Sequence, residues 1–327
     1  MTNLIASAKK RIQRVRQSLG LSRATKTSAY STLDSIACLD QSSAELTMLF
    51  PAESSYLRNF AMARYRGLGE LVDLGAWAGS STLALGQGLA MNDRVDCSRK
   101  RIHAYDIFIW EQWMSDIPWS SSLVKGYQNG DSFLPLYEKQ IAAYEHLIAT
   151  YPGDLNAMAE FPRDIEYLFV DVMKSWQLAN TTIQKYFTKL IPGISIVHHQ
   201  DYNHYFTPWI HLLMYRLRDH FVFEQYVEGT PSTVFAYTDE IPAEKLQQDY
   251  SFDSFSADEF EAAFEYSIRN TGKSAWPSIA SSRVMAYIHQ GKWDIAEKEY
   301  LPLKSRYGTE NYDVAQIEKI LRERSFR

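Results

Sequence analysis

Glu70-Leu71-Val72-Asp73-Leu74-Gly75-Ala76-Trp77-Ala78-Gly79-Ser80-Ser81-Thr82-Leu83-Ala84-Leu85 decides the reading of this chain. Leu71 to Leu74 is an apolar run of the length of a buried strand. A turn of small residues follows, and Ser80-Ser81-Thr82 is helix-starting chemistry ahead of Leu83, Leu85 and Leu89. Strand, glycine turn, helix is the opening unit of a nucleotide-binding α/β domain. The glycines admit a ligand to the backbone because no Cβ stands in the way. The helix start adds N–H groups and a partial positive charge. On this reading Gly75, Ala76, Trp77, Gly79, Ser80 and Ser81 form a cofactor-binding turn. The alternative is an α/β connection with no ligand.

The spacing differs from a dinucleotide fingerprint. Gly75 and Gly79 are four apart, and Trp77 stands where G-x-G-x-x-G needs glycine. Asp73, just before the turn, suits an ammonium group such as the amino-acid end of S-adenosylmethionine (SAM). Ile102 to Tyr105 reads as the next strand and ends in Asp106. That is where an acid that accepts from both ribose hydroxyls is expected. The competing role for Asp106 is a helix cap. Gly153-Asp154, after a third strand over His146–Thr150, places Asp154 on the adenine side.

Composition bounds the rest. The 327 residues are 46% hydrophobic and 22% charged, ordinary for a globular chain, and suffice for one large domain with appendages. A net charge of −5 gives no reason to expect nucleic acid as partner. Cys38 and Cys97 form no CxxC, so a reducing, cytoplasmic compartment is the default. No apolar run approaches the ~20 residues of a membrane span. Lys9, Lys10, Arg11, Arg14, Arg16, Arg23 and Lys26 precede the first acid, Asp34, with Leu4, Ala8, Ile12, Val15 and Leu19 at helical spacing. This is either a solvated helix packed on its own domain or a partner subunit, or a basic amphipathic helix on an anionic membrane surface.

Further strands are expected over Glu166–Val172, Ile194–Val197, Val222–Val227 and Ser232–Tyr237. Helices alternate with the first five strands. The pattern predicts a doubly wound, Rossmann-like, seven-stranded, mostly parallel sheet with an antiparallel edge. Residues 107–144 form an aromatic excursion too long for a simple connection, read as an insertion plus helix with some residues as a lid. The divisions are 1–50, basic helix and linker; 51–245, the α/β domain; and 246–327, a helical appendage.

Asp171 and Asp201 end neighbouring strands, where open α/β sheets bind ligands. With the Gln200 amide they make an all-oxygen set for a hard cation such as Mg²⁺, which can orient a hydroxyl and lower its pKa. Four histidines, His198, His199, His204 and His211, crowd the same segment, and one of them, His199 foremost, is a candidate base. Alternation points His198 and His199 to opposite faces.

Together Asp73-x-Gly75-x-Trp77-x-Gly79-x-Ser81, Tyr105-Asp106-x-Phe108, Phe169-Val170-Asp171 and Ile191-Pro192-Gly193…Gln200-Asp201-Tyr202 resemble class I SAM-dependent methyltransferases, and most closely the macrocin-type sugar O-methyltransferases of antibiotic pathways. The resemblance spans about residues 50 to 240. It implies SAM as methyl donor, held by Asp73, Gly75, Gly79 and Asp106, and Mg²⁺ held by Asp171 and Asp201. It also implies a homo-oligomer. Gln200 departs from the family's Asp-Asp-Tyr, and Met173-Lys174-Ser175-Trp176 departs from its usual sequence. The expected activity is O-methylation of a sugar hydroxyl with Asp171 or His199 as base. A metal-independent enzyme using a His base and a catalytically degenerate scaffold are the alternatives.

Overall fold

The computed structural model describes residues 46–115 and 126–324. The basic N-terminal segment, Cys38 and Trp119 lie outside the described residues. Seven strands form one sheet: β1 Glu70–Leu74, β2 Ile102–Asp106, β3 Ile148–Pro152, β4 Ile165–Val170, β5 Ile196–His199, β6 Phe221–Tyr226 and β7 Thr233–Tyr237, in the order β3-β2-β1-β4-β5-β7-β6. β1 to β5 pair in parallel, and β7 runs antiparallel to both β5 and β6. The antiparallel edge is therefore a two-stranded ribbon, with the reversed strand one place in. The order reverses at β1, which pairs with both β2 and β4 and puts a crevice at the carboxyl ends.

Burial explains the central strands. All of β1 and β4 is buried, as expected where helices cover both faces. Helix α1, Pro51–Asn59, continues through a wide π turn over Phe60–Arg64. Helix α2, Ser80–Ala90, follows the glycine turn, and α3, Leu134–Ile141, packs against it. Helix α4 is Trp176–Lys185 and α5 is Pro208–Arg216. β5 starts two residues later than its sequence suggests. The amides of Ile194 and Ser195 fold back onto the Ile191 carbonyl, and Ser195 Oγ donates to the Ile165 carbonyl at 2.5 Å.

Much of the aromatic excursion is core. Trp110, Phe133 and Tyr137 are buried, and the Trp110 ring stacks on Tyr127. The four C-terminal helices are α6 Ala257–Asn270, α7 Trp276–His289, α8 Trp293–Tyr307 and α9 Tyr312–Arg324. Ser256 and Glu259 form the expected capping box of α6. Phe260, Ala263, Phe264 and Ile279 share one hydrophobic cluster with Val72 and Leu168 of the sheet. The Tyr202 hydroxyl and His211 Nδ1 both meet Ser267 Oγ of α6, at 2.7 and 2.8 Å. Val284, Ala296, Leu303, Val314 and Ile317 form a smaller outer cluster. Among the described residues no helix is long and apolar enough to cross a membrane.

Candidate active site

Five strand ends converge. The Gly75 and Ala76 amides donate to the Tyr105 carbonyl, Gly153 N to Asp106 O, Asp171 N to Leu74 O and Gln200 N to Val170 O. Gly75 has φ +91°, and a Cβ there would lie 2.8 Å from the Asp171 carbonyl oxygen. The turns after β1 and β4 therefore touch, which only glycine permits. Gly79, at φ +102°, starts α2, and its missing Cβ makes room for Tyr137.

Asp106 fastens two loops. Its Oδ2 accepts from Trp77 N at 2.9 Å and its Oδ1 from Phe108 N at 2.7 Å. Trp77 (φ 42°) and Phe108 (φ 52°) are both left-handed, which costs a non-glycine residue roughly 1–2 kcal/mol. The clamp offsets that strain. Each carboxylate oxygen keeps lone-pair capacity for a vicinal diol.

Asp73 is sealed in. It has no exposure, and its Oδ2 accepts from Ser81 Oγ at 2.8 Å and Thr82 Oγ1 at 2.5 Å. Burial pushes its carboxyl up to about 6. Oδ2 thus fastens α2 onto β1, while Oδ1 is buried with no hydrogen-bond partner among the described residues. Ser80 is likewise spent on the Leu46 carbonyl and buried. Asp154 lies on the loop that follows β3, one residue past Gly153, whose amide donates to Asp106 O, and its own Oδ1 accepts from the Asn156 amide and side chain.

The acid pair is close and bridged. Lys174 Nζ donates to Asp171 Oδ1 at 2.6 Å and contacts Asp201 Oδ2. With its nitrogen inward, the Gln200 amide donates to Asp201 Oδ1 at 2.6 Å and Asp171 Oδ1 at 3.1 Å. Turned over, it puts an oxygen in the same place. The separations of that oxygen from the two carboxylates, 2.6 and 3.1 Å, are near the ~3 Å between neighbouring ligands that ~2.1 Å bonds at right angles to a Mg²⁺ require. The donor set fits such an ion: two carboxylates and one amide. Among the described residues no three His, Cys, Asp or Glu side chains gather to hold a metal.

Burial and the charge of Asp201 push Asp171 up to about 7, against the pull of Lys174. Burial also works against ionised Asp201, but Lys174 and His204 outweigh it and hold that carboxyl below its ordinary range. A third acid stands behind them. Glu53 of α1 is fully buried, accepts from Ser232 Oγ at 2.5 Å and from Phe50 N at 2.8 Å, and is raised to about 7 by burial. Lys174 and Glu53 were missed as site residues. The Asp-x-x-Lys spacing is a local signal for Lys174, whereas Glu53 reads as a helix-start residue until the chain folds.

His199 is not in the cleft, which corrects its assignment as a base. It has no exposure, packs among Phe187, Tyr202 and Phe235, and neither ring nitrogen has a partner among the described residues. Both faces of β5 are covered, so alternation exposes neither histidine. His198 faces Tyr56 and Phe169 and bonds Tyr167 at 2.6 Å. His211 is held by Ser267. His204, half-buried, is the histidine whose charge reaches Asp201.

His199→Leu should keep catalytic rate within about threefold, because an unpartnered buried ring is replaced by an apolar one. Burial lowers the His199 pKa from 6.5 to about 3 in the folded chain. Below pH 6.5 the unfolded chain takes up a proton that the folded chain refuses, so this group drains stability as pH falls. Urea melts should show the leucine variant gaining about 2 kcal/mol on wild type between pH 7 and pH 5. An unchanged difference would contradict a buried, neutral His199.

A polar hollow of about 320 Å³ lies at the amino ends of the central strands β1 and β4, lined by Glu70, Arg99, Arg163 and Asp164. Arg99 and Arg163 both pair with Glu70 there.

No protein-family model matches the chain, and no curated protein matches it. Among solved structures it is similar to the O-methyltransferase NovP, at 15% identity and a TM-score of 0.45, covering 59% of this chain and 82% of that one. It is also similar to apo CalS11, a TDP-rhamnose 3′-O-methyltransferase of calicheamicin biosynthesis, at 14% identity and a TM-score of 0.44, covering 71% of this chain and 94% of that one.

Proposed function

We propose that the chain is a SAM-dependent O-methyltransferase whose acceptor is a sugar hydroxyl. The observation that carries this is the contact between the Gly75 turn and Asp171, with the Asp106 clamp on one side and the Asp171–Asp201 pair on the other. A ribose-side acid and an acceptor-side acid pair then flank one glycine turn. The acceptor class rests on the macrocin-type sequence resemblance.

In this reading Asp106 accepts from the two ribose hydroxyls. The turn from Gly75 to Gly79 and the start of α2 receive the methionine end. The acceptor oxygen attacks the methyl carbon, the C–S bond breaks as the C–O bond forms, and Asp171 takes the hydroxyl proton. A carboxyl raised to about 7 suits that role near neutral pH. Asp171, Gln200 and Asp201 would hold a divalent cation, which when bound supplies Lewis-acid polarisation of the hydroxyl. Holding donor and acceptor in line supplies much of the rate.

Calorimetry of the full chain with S-adenosylhomocysteine (SAH) is the first test. Wild-type binding supports the reading, and no binding overturns it. Asp171→Asn should bind SAH within about threefold of wild type yet transfer methyl at least 100-fold more slowly, as loss of a general base does. Undiminished turnover over a panel of nucleotide-sugar and glycoside acceptors would remove Asp171 from the chemistry. SAH binding with no turnover by wild type on that panel would favour the scaffold alternative.

A further inference from the structure

We propose that Lys174 is a tethered counter-ion that a divalent cation must displace before it can bind Asp171. This rests on the acid pair being the acceptor-side centre of the enzyme proposed above. One atom carries the argument. Asp171 Oδ1 accepts from Lys174 Nζ at 2.6 Å and lies 3.1 Å from the inner atom of the Gln200 amide. It is therefore claimed both by the ammonium and by the oxygen cluster that suits a cation. An ammonium and a divalent ion on one carboxylate oxygen repel each other strongly in a partly buried site.

The surrounding charge explains why the lysine sits there. Asp171 and Asp201 bring two negative charges together, and Gln200 adds none. Glu53 adds negative potential behind the pair, and Asp313 of α9 adds to it from the side of the C-terminal helices, while His204 opposes it. Without a cation the acids would repel. Lys174 supplies one from three residues along the chain. The lysine also has a way out. Its side chain is 46% exposed, and its four-carbon stem is flexible, so the head can retract while the Asp171–Gln200–Asp201 oxygens stay in place. Gln200 can follow, turning its nitrogen to the acids when only the lysine is present and its oxygen inward when an ion is.

The consequence is a weak metal site whose affinity is limited by the lysine. Mn²⁺ titrated into the full chain, followed by electron paramagnetic resonance of the free ion, tests this without any acceptor. Lys174→Met should bind Mn²⁺ at least tenfold more tightly than wild type, and Lys174→Arg, which keeps the charge, should stay weak. In EDTA the methionine variant should melt below wild type, and Mn²⁺ should restore it. Equal affinity of wild type and Lys174→Met overturns the proposal.

A second measurement needs no variant. The rate at which an amine-reactive reagent labels Lys174, read by mass spectrometry, should rise as Mn²⁺ is added to wild type. A rate that does not change with Mn²⁺ also overturns the proposal. SAH binding is measured on the same samples. Its loss in wild type would defeat the methyltransferase reading, whereas the Mn²⁺ result decides the lysine.

Discussion

Asp106→Ala should weaken SAH binding at least 100-fold. Two hydrogen bonds from a ribose to a carboxylate are worth roughly 1.5–3 kcal/mol each, and both disappear. The same change removes the acceptor of Trp77 N and Phe108 N. Those two residues hold strained, left-handed backbone, so the loops after β1 and β2 lose their common anchor. A lower melting temperature, by a few degrees, should accompany the affinity loss. Asp106→Asn separates the two effects. Its amide oxygen can still accept from one loop, so it should recover part of the melting temperature but little of the affinity. Calorimetry and a thermal melt on both variants check this. Near-wild-type affinity in Asp106→Ala would mean that the ligand does not reach this acid.

Gly75→Ala should damage both stability and activity. Its φ of +91° strains any residue with a Cβ, and the new methyl would lie 2.8 Å from the Asp171 carbonyl oxygen. Strain of that kind costs roughly 1–3 kcal/mol, and the clash adds to it by forcing the turns after β1 and β4 apart. We expect about 2–4 kcal/mol of lost stability and loss of methyl transfer, since the movement carries Asp171 away from the methyl donor. Gly229→Ala is the control. Gly229 has φ +77° and open space within 4 Å of where a Cβ would stand, so it reports strain alone. Chemical denaturation of both variants gives the difference. Equal losses would show that the approach of the two turns is not tight.

The strand pattern was readable because burial writes itself into composition. Leu71–Leu74 and Tyr167–Val170 are apolar runs bounded by turn residues, and both are central parallel strands. The C-terminal capping box was likewise local. Individual side chains were less readable. His199 and Asp73 carry chemistry-bearing groups at strand ends, yet both are sealed, because helices and neighbouring strands cover the positions they face. Strand-end location is a property of a few consecutive residues. Which way that end opens depends on what packs over it.

Sequence alone determined that a glycine turn would follow β1 and that Asp106, Asp171 and Asp201 would stand at strand ends, since each depends only on its neighbours in the chain. Tertiary structure decided that Lys174 lies between two acids, one of them 27 residues away, and that Glu53 stands behind them. Those placements follow from the register of β4 on β5 and from the docking of α1, long-range contacts whose energies no short stretch of sequence contains.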